Sequence, residues 1–95
     1  MPKLTAKQIK DALPGIPRWQ KKTRIIQRTY EFKDFPAAIK FVNAVARLAE
    51  KAWHHPDIDI RWNKVTLALT THDEGGLTRK DFDLAAKLDE MAGEA

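Results

Sequence analysis

The stretch "DIDIRWNKVTLALTT", Asp57 to Thr71, decides the fold class. Ile58, Ile60 and Trp62 alternate with Asp57, Asp59 and Arg61. Val65, Leu67 and Leu69 then alternate with Thr66, Ala68 and Thr70. A period of two is that of a half-buried strand. Two such runs in succession predict a β-hairpin. Asn63-Lys64 is the expected turn, since Asn tolerates the left-handed conformation.

Upstream, "RIIQRTYEF" (Arg24–Phe32) reads as another strand. Ile26, Tyr30 and Phe32 share one parity, and Arg28 interrupts it. Between these strands "KDFPAA" starts a long helix. Asp34 or Phe35 is the cap position, and Pro36 lies in the first turn, where its missing N–H costs nothing. Phe35, Ala38, Val42, Val45, Ala49 and Trp53 recur at spacings of three and four, and Phe41, Ala44 and Leu48 widen the stripe. A stripe that wide predicts burial against a sheet with a second neighbour beside it. Pro56 disfavours helix in the residue before it, so the helix should stop near His55. A short helix is expected over Leu4–Leu13 with Thr5 as N-cap, broken by Pro14, Gly15 and Pro17. After the loop "HDEGG", Thr78 and Asp81 form a capping pattern for a last helix carrying Phe82, Ala85, Leu88 and Met91. The order α-β-α-β-β-α predicts one α+β domain over 1–95. Its mostly antiparallel sheet would have three to four strands, with two or three helices on one face.

Composition narrows the function classes. The chain has no cysteine, which excludes disulfides and thiolate metal sites, and no serine, which excludes a serine nucleophile. No apolar run approaches the ~18 residues of a membrane span. "MPKLTAKQIK" lacks the apolar core of a signal peptide, and a cytoplasmic location is expected. Net charge is +4 with pI near 9.5, but the basic residues are dispersed. Their loose concentration at Arg18, Lys21, Lys22, Arg24 and Arg28 reads as a solvated face, which argues against a nucleic-acid partner.

The chemistry-bearing residues are the three histidines, His54, His55 and His72, all at element ends. A histidine with its ordinary pKa of roughly 6.5 can give or take a proton near neutrality. His54 and His55 could instead complement the dipole at the end of the long helix. A metal site of His54, His72 and Asp81 is conceivable, but adjacent histidines diverge, whereas helical metal pairs sit three or four residues apart. Asp81 also serves as a capping carboxylate, and Glu50 lies four residues before His54 on the same face. No glycine-rich phosphate loop is present. What remains is proton transfer by neutral and protonated histidines, without cofactor, and no metal is expected.

"EKAWHHPDIDIRW" (Glu50–Trp62), followed by "THDEGGLTRKDFDLA" (Thr71–Ala85), resembles the signature of the pterin-4a-carbinolamine dehydratases. Glu50, then His54, His55 and Pro56 after three residues, match its first part. Trp62 follows after five residues, His72 after nine more and Asp81 after eight. "YEFKDFPAAIKFVNAVARLAE" is similar to the segment leading into that family's long helix, and "LTAKQIKDAL" with "PRWQ" to its N-terminal region.

The resemblance implies dehydration of a 4a-hydroxytetrahydropterin to the quinonoid dihydropterin, in tetrahydrobiopterin recycling. It implies His54 and His72 as acid and base, in either order. His55 would orient the pterin, and Asp81 would position a histidine. Glu50, Trp19, Pro56 and Thr71 are the implied substrate-binding residues. It further implies a homodimer or homotetramer and, for animal members, a transcription-factor partner. Two alternatives stay open: a non-catalytic dimeric module that stabilises a partner protein, and a molybdopterin-related role.

Overall fold

The computed structural model describes residues 2–93. Its elements are α1 (Ala6–Ala12), β1 (Gln20–Lys22), β2 (Ile25–Glu31), α2 (Phe35–Ala52), β3 (Asp57–Arg61), β4 (Lys64–Leu69) and α3 (Arg79–Met91). The sheet is antiparallel throughout, in the order β1-β2-β4-β3. The α+β class and the single layer of helices follow the expectation. Among the described residues no helix is long and apolar enough to cross a membrane.

The core lies between the helices and one face of β2 and β4. Ile26 pairs with Leu69, Arg28 with Leu67, and Tyr30 with Val65, and all six are buried. The opposite face is polar, with Thr29 and Thr66 joined through their hydroxyls at 2.7 Å. Ala38, Phe41, Val45 and Ala49 form the buried stripe of α2, and Phe82, Ala85 and Leu88 part of that of α3. Both stripes are shorter than their periodicity predicts. Phe35 and Met91 lie at the helix ends and remain exposed.

Local chemistry sets the helix starts. Thr5 Oγ1 accepts from Gln8 N while Gln8 Oε1 accepts from Thr5 N, which satisfies two amide donors that the first turn cannot. Asp34 caps α2 by accepting from Ala37 N at 2.9 Å. At α3, Thr78 Oγ1 accepts from Lys80 N and Asp81 Oδ2 accepts from Thr78 N.

Three expectations are corrected. First, β1 is a strand the alternation does not signal. Its three residues are all exposed, so nothing apolar marks it, and it is held by pairing with β2 through a turn at Thr23. Second, the hairpin between β3 and β4 turns at Trp62-Asn63, one residue early. Trp62 takes the positive φ of 52°. Asn63 instead buries its side chain, whose Nδ2 donates to Phe32 O at 2.8 Å. Third, α2 stops at Ala52, before either histidine. Trp53 adopts φ 51°, ψ 46°, and the Trp53 and His54 amides donate back to Glu50 O and Ala49 O. This is a Schellman ending. A residue with a Cβ in this conformation costs roughly 1–2 kcal/mol, which is why glycine normally holds the position.

Candidate active site

The early end of α2 points the chain sideways just before His54. Proline at 56 then holds His55 out of helical geometry and leads into β3. His54 is 9% exposed, and its Nε2 lies 2.5 Å from Asp81 Oδ1. Asp81 belongs to the first turn of α3 and has no exposure at all. Its Oδ2 accepts from Thr78 N and from Thr71 Oγ1, both at 2.9 Å, and the two threonine hydroxyls lie 2.8 Å apart. A buried carboxylate is expensive unless its oxygens are hydrogen-bonded, and both are bonded here. The carboxylate that caps α3 therefore also fixes a histidine from another element.

With Asp81 as acceptor, neutral His54 carries its proton on Nε2. Its Nδ1 has no protein partner and is not enclosed, since Asn63 Oδ1 is the unpaired buried polar side-chain atom among the described residues. The arrangement thus fixes the ring and leaves Nδ1 as its acceptor nitrogen.

His72 arrives from the other side. Thr71 and Gly76 form a β-bridge that closes a short loop, and His72–Glu74 makes one 3₁₀ turn inside it, ended by Gly75 at φ 74°. The three histidines border one cleft of about 260 Å³, together with Trp53, Thr70, Thr71, Asp73 and Lys80. His55 is half exposed, and its Nε2 lies 2.6 Å from Glu50 Oε2. Glu50 thus reaches the site through His55. Among the described residues no three His, Asp or Glu side chains converge as metal ligands would.

Of the residues named from the sequence, His54, His55, His72 and Thr71 border the cleft, with Asp81 directly behind His54. Pro56 is not on its wall. Trp19 is not brought there either. It is 4% exposed, and its Nε1 donates to Asp89 at 2.9 and 3.1 Å, in a network shared with Arg28 and Tyr30. Periodicity had assigned Trp53 to the apolar stripe of α2 and gave no role to Lys80. Both border the cleft. The signal for Trp53 was its place directly before His-His-Pro, where the helix had to end.

Comparisons with known proteins identify the family. The family model for pterin 4 alpha carbinolamine dehydratase matches residues 2–91. A protein of Chloroflexus aurantiacus provisionally named pterin-4-alpha-carbinolamine dehydratase is 57% identical over 93 residues, covering 98% of this chain and 100% of its own. One of the same provisional name from Acidobacterium capsulatum is 55% identical over 91 residues, 96% of this chain and 99% of its own. The crystal structure of a transcriptional coactivator/pterin dehydratase from Brucella melitensis superposes with a TM-score of 0.90 at 39% identity, covering 96% of this chain and 99% of that one. A pterin dehydratase-like protein identified as a RuBisCO assembly factor in the alpha-carboxysome superposes at 0.67 with 25% identity, over 82% and 90%. The chain belongs to the pterin 4 alpha carbinolamine dehydratase family.

Proposed function

We propose that this protein dehydrates 4a-hydroxytetrahydropterin to quinonoid dihydropterin, as a step in tetrahydrobiopterin recycling. The observation that supports this most is the convergence of three histidines on one cleft, with His54 locked by the buried Asp81.

In the reaction the C4a–O bond breaks and the oxygen leaves as water after protonation. The proton on N5 is removed, and its bonding pair forms the C4a–N5 double bond. One group gives a proton and another takes one, each within hydrogen-bond reach. His54 suits the accepting role, because Nδ1 is free and the imidazolium formed would be paired with Asp81. His72, exposed at the cleft, would protonate the departing oxygen. His55, held by Glu50, would orient the pterin, and Thr71 acts through Asp81 as well as lining the wall. No metal or cofactor is needed for this balance.

The test is stopped-flow dehydration of synthetic 4a-hydroxytetrahydropterin with and without the protein. Acceleration that survives exhaustive chelation is expected. A rate equal to the buffer background would overturn the reading, and a rate lost on chelation and restored by one metal would overturn its cofactor-free form.

A homodimer or homotetramer in the cytoplasm completes the proposal. All five residues of the edge strand β3 are exposed, with Ile58 at 40% and Ile60 at 39%. An unpaired edge with apolar residues invites pairing with a second copy. Light scattering at micromolar concentration should give a multiple of the 10.9 kDa chain mass, and a monomer would contradict it. A binding-module reading draws on the assembly-factor relative. It predicts no turnover and no effect of the histidines.

A further inference from the structure

We propose that Trp53 is the stacking wall for the pterin ring and a specificity determinant of this cleft, an inference that rests on the dehydratase reading above. Trp53 is 70% exposed, so its indole adds little to the core. It nonetheless holds a left-handed conformation at φ 51° that glycine would adopt without strain. Such strain is found at functional sites, but Trp62 carries it outside the cleft, so it is the place of Trp53 on the cleft wall that carries the argument. The indole borders the same cleft as His54 and His72 and meets the His55 ring edge-on, centroids 5.1 Å apart with planes at 80°.

Apart from Trp53 and the histidines, the cleft is walled by polar side chains, Thr70, Thr71, Asp73 and Lys80. A pterin is a bicyclic heterocycle that is flat when oxidised or quinonoid, while the carbinolamine substrate is tetrahedral at C4a and flat only over its aminopyrimidinone portion. Histidines and threonines can bond its edge, but only an extended aromatic surface covers its face. The left-handed turn puts the indole beside the cleft instead of on the buried face of α2. The sequence places this tryptophan immediately before the two histidines, so one turn delivers both the stacking surface and the proton-transfer group.

Trp62 is a built-in control. It too is exposed, at 69%, with φ 52°, but it sits at the β3–β4 turn and does not border the cleft. Trp53→Gly, Trp53→Phe and Trp62→Gly should be compared in three measurements: dehydration kinetics, calorimetric affinity for oxidised, fully planar pterin, and thermal midpoint. Base stacking on an aromatic side chain predicts that Trp53→Gly raises KM and the pterin Kd about 10-fold. Its kcat should fall less than its KM rises, since the aminopyrimidinone portion is stacked in ground and transition states alike. Its thermal midpoint should rise by roughly 4–8 °C for each kcal/mol of strain released. Trp53→Phe should keep KM within about threefold, and Trp62→Gly should gain stability with KM unchanged.

An unchanged KM and Kd in Trp53→Gly would overturn the proposal while leaving a dehydrating wild type intact. So would a fall in oligomer mass with Kd unchanged, which would make Trp53 a contact between copies. If the wild type fails to dehydrate but binds pterin in a Trp53-dependent way, the dehydratase reading falls and the stacking wall stands. If it neither dehydrates nor binds, both fall.

Discussion

Helix α3 carries two carboxylates that each gather several donors. Asp81 in its first turn holds Thr71, the Thr78 amide and His54, and Asp89 in its last turns holds Trp19, Arg28 and Tyr30. As hydrogen-bond acceptors they look alike. Their partners differ in what they can do. An arginine is always charged, and an indole N–H or a phenol keeps its proton near neutrality. The Asp89 partners therefore keep their protonation state, with the Arg28 guanidinium 4.0 Å above the Tyr30 ring and Nη1 2.7 Å from the carboxylate. Histidine changes its protonation near neutral pH. The same kind of carboxylate holds groups of fixed protonation at one end of the helix and, at the other, a histidine that we propose it orients for proton transfer.

Breaking each end should separate the two effects. His54→Ala gives the largest expected loss, 10²- to 10⁴-fold in the dehydration rate. It also leaves Asp81 Oδ1 without a donor in a buried site, so stability should fall by roughly 1–3 kcal/mol. His72→Ala should lose rate over a similar range, but His72 is exposed and stability should hold within about 0.5 kcal/mol. Urea titrations beside steady-state kinetics check both. At the other end, Asp89→Ala removes the carboxylate that Trp19, Arg28 and Tyr30 share and should cost roughly 1–3 kcal/mol in the same titrations. Its kcat per folded molecule should be unchanged, and a proportionate loss of kcat would break the comparison. Smaller effects should sharpen it. Thr71→Val removes one of the bonds that aim Asp81 and should lower kcat about 10-fold by misplacing His54. His55→Ala, on the exposed Glu50 pair, should act more on KM than on kcat.

Much of this was legible in the sequence because it rests on local rules. The β3–β4 alternation, the Asp34 and Thr78 caps and the spacing from Glu50 to Asp81 all act over a few residues or match a family pattern. The rest depends on contacts between distant elements. Arg28 was visible as a break in the strand pattern, but its partner lies 61 positions away. Trp19 could be placed near a pocket by resemblance, yet the carboxylate that fixes it is on α3. Asp81 was readable as a helix cap, while its bond to His54 needed the early end of α2. That end was hidden because Trp53 is an improbable residue for a left-handed position.

The central claim is that Asp81 serves the reaction while Asp89 serves only the fold. The most direct measurement is kcat for Asp81→Asn and Asp89→Asn, taken at a temperature where both are folded. An amide at 81 can no longer hold His54 as a carboxylate does, so Asp81→Asn should lose at least about 10²-fold. Asp89→Asn should keep wild-type kcat despite a lower unfolding midpoint. Equal losses in the two variants, or wild-type kcat in Asp81→Asn, would contradict the account.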